Sequence, residues 1–401
     1  MNGATAEPPA APPRPALLAR LQAGYRHPLN WFMLCVPAAL LLNGRNLLPA
    51  EQLFLIAALA IVPLARLMID ATEHIGRRTT PTIGALLNAT FGNAPELIIS
   101  LMALRAGMPD LVKASIVGVM LGNLLFVLGL SFLVGGLRER VQKFNRRGAR
   151  MQRSVLMIAA ISIILPSVFD NFIPPELAAH ELALNSGVAV VLLVTYGFSL
   201  VFMLKTHPDY FVPKKPPPED ADEAIAWPIA LALAVLAVTS GLLMVMSEML
   251  VGAVEQTAHN LGMSKAFIGV IILALIGGAP ESAAAVAMAR RNKLDLTMGI
   301  AVGSSIQMML FVTPVLMLSS YYLAPQPLDL VVGNSGILVV FLPVLIFSMI
   351  VTDGKSNWFN GVQLLSVYLL IALFCYYLPD APAAEPWNPP TAMSAGRSAP
   401  L

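Results

Sequence analysis

Charged side chains are scarce in this sequence: Asp, Glu, Lys and Arg make up 12% of its 401 residues. A soluble globular domain carries roughly 25%. Apolar residues fill 57% of the chain and the mean hydropathy is +0.73, so the deficit of charge excludes an ordinary water-solvated fold. The formal net charge of +2 is uninformative about acidic partners or nucleic acid, and no nucleic-acid partner is expected of a lipid-solvated chain. Cysteine is nearly absent. Cys35 and Cys375 both lie in apolar runs far apart in sequence, which excludes a disulfide framework and a thiolate metal site. Residues 1–30 are rich in Ala and Pro and lack the compact apolar core and cleavage site of a signal peptide; they read as a disordered cytoplasmic tail. Residues 379–401, with six prolines, read as a second disordered tail.

What the chain has in abundance is long apolar runs. Crossing the hydrocarbon takes about 20 apolar residues, and eleven segments qualify, near 31–48, 53–69, 82–104, 111–136, 154–173, 184–204, 227–250, 265–289, 297–323, 329–351 and 359–378. The expected fold is therefore an all-α polytopic membrane protein. It has one first transmembrane helix (31–52), a five-helix half (53–204), a linker (205–226) and a second five-helix half (227–378). Residues 138–153 hold seven Lys/Arg against one acid, Glu139. Arg77 with Arg78, Lys214 with Lys215, and Arg290, Arg291 with Lys293 fall in loops of the same parity. The positive-inside rule makes that set cytoplasmic, with the N-terminus inside and the C-terminus outside. The source reads as prokaryotic, and the location as a bacterial inner membrane. The linker turns acidic at Glu219, Asp220, Asp222 and Glu223, which a solvated loop explains.

An internal repeat is present at an offset of 185 residues. Laid over 257–312 without a gap, residues 72–127 match at 17 of 56 positions, against roughly five by chance. The matches include Ile83-Gly84 with Ile268-Gly269, Ala94-Pro95-Glu96 with Ala279-Pro280-Glu281, and Asp110-Leu111 with Asp295-Leu296. The copies are separated by an odd number of spans, so they are expected to be inverted, as in many secondary transporters whose one site faces either side in turn.

The shared residues carry chemistry. Proline removes a backbone donor and breaks the helix, and the nearby glycines relax it further, so carbonyls are freed at mid-membrane. An ionised carboxylate there costs about 2.5–3.5 kcal/mol on insertion scales and is rarely present for packing alone. Glu96 and Glu281, beside Gly92 and Gly277, make an oxygen-rich, doubly negative site. Calcium, with six to eight oxygen ligands in flexible geometry, suits it better than magnesium. Asn93, Ser100, Asn123, Ser304, Ser305 and Gln307 can add polar groups. Protons and a cation compete for such carboxylates, and a carrier that turns over only when loaded with one or the other is an antiporter. No Ser-His, Cys-His or aspartyl-dyad pattern accompanies the glutamates, so an enzyme is not expected, and no cofactor is implied. Glu73, Glu248 and Glu255 lie near span ends, and an acid-x-Thr-x-His pattern places His74 and His259 in equivalent positions. These five, with Ser100 and Gln307, are candidates for a proton or access route. Solvated helix ends explain the exposed charges among them equally well.

Residues 86–100, Leu-Leu-Asn-Ala-Thr-Phe-Gly-Asn-Ala-Pro-Glu-Leu-Ile-Ile-Ser, resemble the first signature of the cation/proton exchanger family within the calcium:cation antiporter superfamily. Residues 247–252 and 299–307 also resemble that family, and the similarity covers roughly 56–318. The resemblance implies an eleven-span Ca2+/H+ antiporter in which Glu96 and Glu281 serve both metal and proton, with Glu73 and Glu248 on the access route. The second signature departs from the family's usual Gly-Asn-Ala-Ala-Glu-His: here Gly278 stands for the asparagine and Ser282 for the histidine. Exchange of Na+, K+ or Mn2+ for H+ is the alternative on the same fold. A passive cation channel is the alternative of a different class.

Overall fold

The computed structural model describes residues 28–43, 48–170, 178–207 and 227–378. Most of the two expected tails, and the linker with its acidic run, lie outside the described residues. The fold is a mostly helical polytopic membrane architecture. Among the described residues, eight helices are long and apolar enough to cross a membrane: α2 (Ala50–Gly76), α5 (Pro109–Gly136), α6 (Arg146–Phe169), α7 (Ala183–Thr206), α8 (Ile229–Leu261), α11 (Leu294–Leu323), α12 (Gly336–Asp353) and α13 (Trp358–Tyr377). A ninth crossing is a bent pair, α9 (Lys265–Gly277) and α10 (Ala279–Arg290), whose axes differ by 63°. The two other expected spans are shorter pieces. One is α1 (Trp31–Asn43); the other is divided into α3 (Pro81–Phe91) and α4 (Ala94–Arg105). Eleven apolar segments in sequence thus become eight to nine full-length crossings by helix length.

The central pair is α2 against α8. Ile61, Leu64 and Met68 of α2 and Leu243, Met246, Leu250 and Val254 of α8 are buried at three- and four-residue spacing, which puts each set on one helix face. The two helices run antiparallel. At one end Asn260 donates to Glu51 (3.1 Å), joining the C-terminus of α8 to the N-terminus of α2. At the other, Trp227, just before α8, stacks on His74 in the last turn of α2 (ring centroids 4.3 Å apart). Because α2 and α8 are equivalent under the 185-residue offset, their antiparallel packing is the inversion that the sequence predicted.

Both copies open their half-helices in the same way. The Thr80 side chain caps α3 by accepting from Ile83 N–H, and Ser264 caps α9 by accepting from Phe267 N–H. Both copies also carry a π-helical segment at matching places, Gly122–Val127 in α5 and Met308–Val312 in α11. Such segments concentrate at functional sites in helices. On the basic face, β1 (Gln142–Lys143) pairs antiparallel with β2 (Lys355–Ser356) and ties the loop after α5 to the loop before α13.

Candidate ion-binding site

The breaks in the two half-helix pairs build the site. α3 ends at Phe91, Gly92 and Asn93 form the turn, and α4 starts at Ala94. α9 ends at Gly277, Gly278 forms the turn, and α10 starts at Ala279. Pro95 and Pro280 therefore sit in the first turn of the second half-helix, where their missing N–H is tolerated, and the carbonyls of Phe91 and Ile276 lose their usual donor. Glu96 and Glu281 follow in the same first turns. The positive end of each half-helix favours an anionic side chain there.

The inversion brings the two carboxylates together, each against the other repeat. A methyl group at Gly277 would lie 3.1 Å from both Cγ and Oε1 of Glu96; one at Gly92 would lie 3.8 Å from Oε1 of Glu281 and 3.4 Å from Oε1 of Gln307. Gly92 and Gly277 are equivalent positions, so each glutamate lies on the glycine that precedes its partner's break. Glu96 is 3% exposed, and Glu281 is partly buried with its Oε2 sealed from solvent. Among the described residues no donor reaches Oε2 of either carboxylate and no hydrogen-bond partner reaches Oγ of Ser100, which is buried one turn beyond Glu96. Buried oxygens left without donors cost free energy unless protonated or bound to a cation.

A polar chain braces the site. Asn123 donates to Ser304 Oγ (3.1 Å), Ser304 donates to Asn93 Oδ1 (2.7 Å), and Asn93 Nδ2 donates to Gln307 Oε1 (2.9 Å). The amide of Asn93 is thus engaged on both sides as a tie between α4 and α11. Ser305 turns away, donating to the Ala301 carbonyl. Ser282 donates to the Gly278 carbonyl at 2.7 Å, so its hydroxyl satisfies backbone at the break.

A cavity of about 300 Å3 leads from this network toward the basic face. Its lining includes Asn88, Asn145, Gln152 and, along α11, Asp295, Gly299, Gly303 and Gln307. The last four are spaced by four residues and form one helix stripe, about 18 Å long at 1.5 Å per residue. Sequence reasoning had named Gln307 alone of these as a site residue; the four-residue spacing was the signal for the other three. The remaining access candidates do not line the cavity. Glu73 is exposed and pairs with Arg77 (3.6 Å), His74 is stacked on Trp227, and Glu255 pairs with Lys265 (2.6 Å). Glu248 is exposed in the middle of α8, and His259 is exposed in its last turn. Their charges are used at helix ends and surfaces, and none of the five meets the carboxylate pair.

Comparison with known proteins agrees with the geometry. The family model described as sodium/calcium exchanger protein matches twice, over residues 51–205 and 231–377. The chain is 39% identical over 353 residues to a Ca2+/H+ antiporter of Aphanothece halophytica, covering 82% of this chain and 91% of that protein. It is 39% identical over 331 residues to the Ca2+/H+ antiporter ChaA of Bacillus subtilis, covering 82% and 93%. The solved structure of native YfkE superposes with a TM-score of 0.74 at 35% identity, covering 86% of this chain and all of that one.

Proposed function

Since this chain belongs to the sodium/calcium exchanger protein family, we propose that it is a secondary antiporter that exports Ca2+ in exchange for H+. One observation carries the reading: Glu96 and Glu281, from inverted copies, converge at two helix breaks and each keeps an oxygen that no group among the described residues satisfies. Two carboxylates, with carbonyls freed near Gly92 and Gly277 and the hydroxyl of Ser100, offer the hard oxygen set that calcium prefers. The same carboxylates bind protons when the cation leaves, so one site serves both ions and transport couples them by competition. It is a carrier, not an enzyme, and the transported ions need no cofactor.

The bilayer is its solvent, and the relatives' bacterial sources favour an inner membrane. The basic loops favour a cytoplasmic N-terminus and an external C-terminus. The cavity opening to the basic face is then a cytoplasmic vestibule. Residues 53–204 and 227–378 form the two halves whose interchange exposes the site to the other side. The test is flux in liposomes under an imposed proton gradient. Calcium uptake that collapses with the gradient supports the reading. Uptake of Na+, K+ or Mn2+ in place of calcium changes the cargo, and flux that persists without any counter-ion gradient makes the protein a channel.

A further inference from the structure

The rim of the cavity presents an electrostatic contradiction. Phe144, Asn145, Gly148, Ala149 and Gln152 line a passage assigned to a divalent cation, yet the surrounding surface is strongly basic. Arg138, Arg146 and Arg153 are tied to the carbonyls of Arg290, Thr352 and Ser348. Arg140, Lys143, Arg147 and Arg150 are exposed, and none of their side chains makes a hydrogen bond or ion pair among the described residues, their bonds being backbone ones. Arg290, Arg291, Lys293 and Lys355 add to the same face, against Glu139, Asp353 and Asp295. Asp295 itself accepts from the Asn145 backbone at 2.5 Å. A positive potential of only one kT per unit charge lowers a divalent cation's local concentration about sevenfold.

The sharpest point of the surface is the β1–β2 ladder, in which Lys143 stands directly opposite Lys355. Facing residues in an antiparallel pair hold their Cβ atoms about 5 Å apart, and like charges there repel. Both lysines are exposed. Close by in sequence, Trp358 and Phe359 are about half exposed and in edge contact, centroids 5.7 Å apart, and Leu137 and Val141, in the segment leading into β1, are exposed as well. Aromatic side chains at the end of an apolar helix mark headgroup depth.

We propose that the Lys143–Lys355 pair is a binding site for the headgroup of an anionic phospholipid. One phosphate between the two ammonium groups converts repulsion into two charge-assisted contacts. The acyl chains then lie along α13, beside Trp358 and Phe359. The bound anion lowers the positive potential at the mouth of the vestibule, so the lipid sets how readily the cation enters. An acidic peptide would use the basic charges but has no need of the exposed Trp358, Phe359, Leu137 and Val141.

The consequence for transport rests on the proposed function, but binding itself does not, so two readouts separate them. In the first, detergent-purified full-length protein is offered phosphatidylglycerol and phosphatidylcholine in equal amounts, and retained lipid is read by native mass spectrometry. Retention of phosphatidylglycerol by the parent, reduced at least fivefold in K143Q/K355Q, is expected; equal retention by both overturns the site. In the second, calcium KM is compared in phosphatidylcholine liposomes with and without phosphatidylglycerol. The parent's KM falls severalfold with the anionic lipid, and K143Q/K355Q shows a smaller fall. An equal fall in both means that the bilayer's general surface charge is responsible and overturns the specific role.

Discussion

Gly277→Ala is the most direct probe of the cross-repeat geometry. The added methyl lies 3.1 Å from two atoms of the Glu96 side chain, whereas ordinary carbon contacts begin near 3.4 Å. Glu96 is buried, with α9 on one side and its own helix on the other, so the carboxylate must shift by several tenths of an ångström. Overpacking of this kind costs about 1–3 kcal/mol. If that cost falls on the loaded state, the apparent affinity for the transported cation weakens by about 5- to 150-fold. The assay is calcium uptake into liposomes under a proton gradient, with calcium-dependent thermal stabilisation as an independent measure of binding. Gly197→Ala is the control, because nothing lies within 4 Å of its added methyl. Glu96→Asp retracts the carboxylate by one methylene and should recover part of the loss in the double variant, giving a non-zero coupling energy. Parental affinity in Gly277→Ala, or strict additivity with Glu96→Asp, would refute the idea that this contact belongs to the transport site.

Two further outcomes follow from the same pair. Glu96→Gln and Glu281→Gln each remove one titratable charge at nearly constant volume; each should abolish exchange while the protein still inserts and elutes as the parent does. Calcium affinity should weaken as pH falls, because protonation removes the carboxylate that the cation needs: by about tenfold per pH unit for each proton displaced, below the carboxylates' own titration. Calcium titrations from pH 5 to 8 check this, and a flat affinity places proton binding elsewhere.

The candidate site was legible in sequence because its residues are doubled. Pro95-Glu96 and Pro280-Glu281 recur at one offset with glycines before them, and a mid-membrane carboxylate beside a proline has few packing explanations. The inversion was legible from loop charge. The span count was less so, because apolar content does not reveal where a helix stops: Gly92-Asn93 divides one expected span into pieces of 11 and 12 residues. The partner of Asn93 was hidden as well, since Gln307 is 214 positions away and only tertiary structure joins them. The lining of the cavity was hidden for a similar reason. Acidic residues such as Glu73 and Glu255 stand out in a sequence, whereas a passage is made by what is small, and Gly299 and Gly303 carry no chemical signal of their own.

Those small residues have a consequence for how the protein tolerates mutation. Gly118 and Gly303 are the same position in the two copies. Gly118 is pressed onto the backbone of Val270, with no space for a methyl group, while Gly303 borders the cavity with nothing within 4 Å of where one would project. If the halves exchange conformations, the crowded glycine and the open one exchange places, and Gly303 meets Ala85, the counterpart of Val270. Gly303→Ala is then harmless to the conformation described here and forbidden in its mirror image. Its cost falls on a state that melting curves and cation binding from the vestibule side never sample. Both should match the parent, while turnover drops by about 5- to 150-fold, the factor that about 1–3 kcal/mol imposes on a two-state exchange. Unimpaired turnover in Gly303→Ala would mean that the two halves do not trade these contacts. Stability measurements alone would class this glycine as replaceable, and only a cycle count would reveal what it is for.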